Sequence, residues 1–120
     1  MSELDTLRAA LPMVGAEPEI LSDRRVAHIV AHGHRILSRR TISGLRAELE
    51  ETSDAIVGQM VIERGATIEQ PIHLCFGLAH ETGIQQIKIN LTVEAGATAA
   101  VLAHCLFPVA LQARHVMDAV

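Results

Sequence analysis

A five-residue unit occurs twice in this chain: Glu63-Arg64-Gly65-Ala66-Thr67 returns 31 residues later as Glu94-Ala95-Gly96-Ala97-Thr98. Ile62 or Val93 precedes each copy, and His73 and His104 follow at the same 31-residue offset, as do Phe76 and Phe107. A constant period of this size is the signature of stacked structural units that share one core, so the spacing predicts an all-β solenoid. Two alternating runs, Ile56–Ile62 and Ile87–Val93, lead straight into the two copies. Each unit therefore reads as a strand, a glycine corner with positive φ, and a second strand.

The composition agrees with thin aliphatic layers. Of the 120 residues 49% are hydrophobic and only 2% aromatic, which leaves Val, Ile, Leu and Ala to fill the core. One domain's worth of chain is present. The net charge of −4, with no Trp, no Tyr and two Phe, excludes a basic, base-stacking surface and so disfavours nucleic acid. Apolar runs such as Ala97–Ala103 are far shorter than the roughly 20 residues that cross a bilayer. The acidic start Met1-Ser2-Glu3-Leu4-Asp5 lacks the features of a secretory signal. A cytoplasmic location, with both cysteines as thiols, is the expectation.

Along the chain, Leu4, Leu7, Ala10 and Leu11 recur at helical spacing and predict a short amphipathic helix ended near Pro12 and Gly15. Residues 1–22 are read as a helical lead-in and 23–120 as the β region. Ala27–Leu37 fits helix or strand, since Gly33 interrupts an alanine-containing run. Leu45, Ala47 and Leu49 alternate with Arg46, Glu48 and Glu50, the pattern of a strand with one wet face. Pro71 marks a bend or an edge, and residues 77–83 read as a loop. The segment Ala113–Val120 stops without turn or capping residues, so an open strand edge, docked by another chain or continued elsewhere, is expected there.

The run from Val61 to Leu74, with Glu69-Gln70-Pro71-Ile72-His73-Leu74 at its end, together with Ile89 to Thr98, resembles the core of the SufB/SufD family of the SUF iron–sulfur cluster assembly system. Cys75-Phe76-Gly77, His104-Cys105 and His115-Val116-Met117-Asp118 are similar to shorter, single-type members, and the resemblance spans roughly residues 24–120. It implies a right-handed parallel β-helix, a non-catalytic scaffold role with a transient iron–sulfur cluster, and two partners: an ABC-type ATPase and a second SufB/SufD-like subunit. Family members run well beyond this chain, so only the N-terminal part of their core is represented, and a homo- or hetero-oligomer is expected.

Thiolates and imidazoles ligate iron–sulfur clusters and thiols carry sulfur, which makes Cys75, Cys105, His73 and His104 the candidate cluster-binding residues. Stacking at the 31-residue period sets His73 over His104, with Cys75 on the same strand face and Cys105 on the other. The alternative is that both cysteines are buried apolar fillers. His28, His32 and His34 form a second candidate group, for a metal ion, although Arg24, Arg25, Arg35, Arg39 and Arg40 oppose a cation there. A histidine-rich metal-binding or small cupin-like protein and a cofactor-free interaction module are the competing readings. His32-Gly33-His34 has no glutamate at the short spacing a cupin needs, and there is no Ser/His/Asp order, phosphate loop or Cys-x-x-Cys pair.

Overall fold

A computed structural model describes residues 2–109 and 112–119. Helix α1 (Glu3–Ala10) begins in a capping box: the Ser2 hydroxyl accepts from the Asp5 N–H at 3.1 Å, and the Asp5 carboxylate accepts from the Ser2 N–H at 3.3 Å. Two 3₁₀ turns follow at Leu11–Val14 and Pro18–Leu21, the first ended by Gly15 at φ +80°. Eight strands complete the described residues: β1 His28–His32, β2 Arg35–Arg40, β3 Leu45–Glu51, β4 Ile56–Ile62, β5 Ile72–Gly77, β6 Thr82–Val93, β7 Val101–Leu106 and β8 Gln112–Ala119.

They form two mixed four-stranded sheets, ordered β2-β1-β5-β7 and β3-β4-β6-β8. This corrects the expected solenoid and right-handed parallel β-helix, because β1–β2 and β3–β4 are antiparallel pairs. The physical reason is local turn chemistry that the period does not report. Gly33-His34 is a two-residue connection with Gly33 at φ +59°, which folds β2 back on β1. Thr52 closes the next hairpin: its hydroxyl accepts from the Ala55 N–H at 2.9 Å, and its own N–H donates to the Ala55 carbonyl at 2.9 Å. The parallel pairings also lack one common offset. Ile56 faces Ile87, 31 residues on, whereas Ile72 faces Val101, 29 on, and His28 faces His73, 45 on.

The duplicated unit sits where the chain crosses from one sheet to the other, between β4 and β5 and between β6 and β7. Gly65 and Gly96 take φ +72° and +75°, conformations that disfavour a Cβ, and the two corners lie side by side through the Gly65 N–H to Ala95 carbonyl bond at 3.0 Å. Thr67 bridges Thr98 just beyond.

Alternation then fixes the layers. Ile29, Ala31, Ile72, Leu74 and Phe76 of one sheet meet Leu45, Ile56, Met60, Ile62, Ile87 and Ile89 of the other in the main core. Ala27–Leu37 resolves into two strands; β1 and β5 are buried on both faces, because α1 covers the outside of their sheet. Leu7, Ala10, Leu11 and Leu21 pack there on Val30, Cys75 and Leu106. Ala47 and Leu49 point inward beside Leu45, as the alternation predicts. Pro71 immediately precedes β5, and the predicted 77–83 loop narrows to the four residues between Gly77 and Thr82. The expected open edge at Ala113–Val120 falls on β8, the last strand of its sheet, with Val120 outside the described residues. No described helix is long and apolar enough to cross a membrane.

Candidate functional site

Strand pairing sorts the chemical side chains onto two faces. His28 and His32 of β1, His73 and Cys75 of β5, and His104 of β7 share the outer, helix-covered face of their sheet, while Cys105 faces the opposite way. The His73 and His104 rings stack at 5.4 Å with 14° between planes, and His73 Nδ1 lies 3.2 Å from His104 Nε2. Their backbone register differs from the expected one: His73 faces Leu102 and Cys75 faces His104, since this parallel pair is offset by 29 residues. The rings meet diagonally. Burial, then the neighbouring His104, pushes the proton affinity of His73 down.

The two cysteines occupy unlike surroundings. Cys75 is 0% exposed among Leu7, Ala10, Leu11 and Leu106, and burial pushes its thiol up to about 12, so it is a neutral packing group at pH 7. Cys105 is exposed on the edge strand β7. Its Sγ lies 3.7 Å from His115 Nε2, and His115 Nδ1 lies 2.9 Å from Gln85 Oε1.

Gln85 is 0% exposed and its orientation is determined by its neighbours. Its amide nitrogen donates to the carbonyls of Gly33 at 2.9 Å, Gly77 at 3.1 Å and, more weakly, Ala31 at 3.4 Å. The amide oxygen must therefore face His115, which makes Nδ1 the protonated nitrogen and leaves the Nε2 lone pair aimed at the Cys105 thiol. Burial lowers the proton affinity of His115, so this neutral tautomer is the one present at pH 7. Phe107 packs edge-on against the ring at 5.5 Å. Cys105, Leu106, Phe107 and Pro108 also line a groove of about 290 Å³ with Ala10, Met13 and Val14.

The structure does not bring His28, His32 and His34, the metal group expected from the sequence, together at one point. His28 Nε2 meets the Ser38 hydroxyl at 2.7 Å. His34 joins two loops, with Nδ1 3.0 Å from the Ser53 carbonyl and Nε2 accepting from the Gln86 N–H at 3.0 Å. Among the described residues, only His32 of the three enters a metal-capable group, with Glu3 and His80. Sequence reasoning missed the Gln85–His115 pair although a signal existed. They are register partners across β6 and β8, one residue short of the 31-residue period.

No protein-family model matches the chain, and no solved structure matches it. Two proteins do. An iron–sulfur cluster assembly SufBD family protein of Methanocaldococcus jannaschii is 25% identical over 118 residues, which are 98% of this chain and 37% of that protein. A SufBD family protein of Pyrococcus horikoshii with the same description is 26% identical over 95 residues, 79% of this chain and 29% of that one. The chain spans about a third of the length of the curated relatives it matches. The resemblance to the SufB/SufD family read from the sequence is thus supported at low identity over nearly the whole chain.

Proposed function

We propose that this chain is a non-catalytic scaffold component in iron–sulfur cluster assembly and that Cys105 is its sulfur-accepting and cluster-holding thiol. The observation that carries the reading is the exposed Cys105 thiol set against the lone pair of a half-buried, tautomer-fixed His115. His115 Nε2 takes the thiol proton, and the thiolate attacks the outer sulfur of a donor persulfide. A new Cys105–S bond forms, the donor's S–S bond breaks, and the departing donor thiolate takes the proton back from His115. No net oxidation occurs, since the outer sulfur moves between two thiols. The His73–His104 pair supplies imidazole on the other face of the same two strands.

The names of the matched relatives support the assembly role, and Cys75 has no part in it. A second SufB/SufD-like subunit and an ABC-type ATPase are the partners this reading calls for. The edge strands β7 and β8 lie at the same end of their two sheets, and Leu102 and Val116 are exposed on them, a surface suited to the second subunit.

Anaerobic reconstitution with iron and sulfide tests the reading through visible absorbance and bound iron and sulfide. The parent and Cys75→Ser are expected to hold a cluster and Cys105→Ser to lose it. Failure of the parent to hold one, or its retention by Cys105→Ser, overturns the assignment.

A further inference from the structure

Three polar side chains from distant parts of the chain meet away from the cysteines. Glu3 lies in the first turn of α1, His32 ends β1, and His80 lies between β5 and β6. Glu3 Oε2 is 3.1 Å from His32 Nδ1 and 3.3 Å from His80 Nε2, and the three ligand atoms all lie within 4.8 Å of one another. Metal bonds of about 2.0–2.2 Å from imidazole nitrogen and carboxylate oxygen, set at a tetrahedral angle, separate neighbouring ligand atoms by about 3.3–3.6 Å. The observed spacings need little change to admit an ion.

Glu3 and His32 are held independently of an ion. The capping box fixes the start of α1, and Leu7, Ala10 and Leu11 seat the helix on its sheet. His32 is 6% exposed; its Nδ1 faces Glu3, and its Nε2 has no hydrogen-bond partner among the described residues. Its ring meets that of His80 edge-on at 4.7 Å. Two imidazoles and one carboxylate suit a borderline divalent ion, and the His80 side, 63% exposed, leaves room for water as a fourth ligand.

We propose that Glu3, His32 and His80 bind one divalent transition-metal ion of the zinc class, which ties the first turn of α1 to the end of β1 and to the β5–β6 connection. The site is separate from Cys105 and does not rest on the assembly role.

The test is titration of the chelator-stripped chain with zinc chloride by calorimetry, repeated with cobalt(II) and read in the visible and near ultraviolet. One equivalent is expected to bind, with tetrahedral cobalt bands and no thiolate charge-transfer band, and zinc should raise the melting temperature. His80→Ala, at a position 63% exposed, is expected to weaken binding at least about tenfold and to abolish the thermal shift. Glu3→Gln should do the same, while Cys105→Ser and His104→Ala should bind as the parent does. No binding, binding untouched by His80→Ala, or a thiolate band removed by Cys105→Ser overturns the proposal.

Discussion

Replacing Gln85 by leucine tests whether one buried amide both supports the fold and sets the state of the Cys105 thiol. Leucine fills a similar volume with no polar atom. Two groups lose their partner outright: the Gly33 carbonyl loses the amide donor, and the His115 Nδ1–H loses its acceptor. The Gly77 carbonyl retains the Gly33 N–H at 3.0 Å, and the Ala31 contact is long enough to count for little. An unsatisfied buried polar group costs about 1–3 kcal/mol, and the leucine side chain offsets part of two such losses, which leaves a destabilisation of about 3 kcal/mol. With a urea slope of about 1.5 kcal/mol per molar, the unfolding midpoint falls by about 2 M. His115, released from one tautomer, no longer holds a lone pair toward Cys105. Alkylation of Cys105 at pH 7 in the still-folded variant should therefore slow severalfold. A midpoint within about 0.3 M of the parent, together with an unchanged alkylation rate, would refute the reasoning.

Other consequences are directly measurable. A thiol reagent should titrate one cysteine in the native protein and two in denaturant, because Cys75 is 0% exposed with its thiol pushed up to about 12; two fast native thiols would contradict its packing role. Gly77→Ala places a methyl group against the Leu106 backbone of the neighbouring strand and should cost about 3 kcal/mol. Gly65→Ala meets no atom within 4 Å and should cost only the about 1–2 kcal/mol of its φ of +72°; urea midpoints of the two variants should separate accordingly. His28, His32, His73 and His115 all have lowered proton affinities, mainly from burial. The unfolded chain, with imidazoles near about 6.5, then binds more protons than the native one, so stability is complete above about pH 6.5 and falls below it. Each of these histidines contributes up to about 1.4 kcal/mol per pH unit in that window. A urea midpoint that stays flat from pH 7 to pH 5 would rule this out.

Local features of the sequence were readable because their causes are local. Ser2 and Asp5 with the Leu4/Leu7/Leu11 spacing determined α1, and two-residue alternation determined the inward sides of β3, β4 and β6. Gly65 and Gly96 marked the two corners, since only glycine takes positive φ at little cost. The candidate cysteines and histidines were also visible, but their roles were not. Cys75 and Cys105 look alike in sequence; the helix packed over one and the sheet edge exposing the other made the first inert and the second reachable. The solenoid expectation failed because a period records which strands resemble each other, whereas the Gly33-His34 and Thr52–Ala55 turns decide which strands reverse and pair. Gln85 with His115, and Glu3 with His32 and His80, come together only through pairings between segments far apart in the chain. The amino-acid sequence by itself determined the strands, the corners and the family likeness, because propensity, alternation and glycine stereochemistry act over a few residues. Tertiary structure alone decided sheet order, thiol exposure and which imidazoles meet, because those depend on long-range register and on what packs over each face.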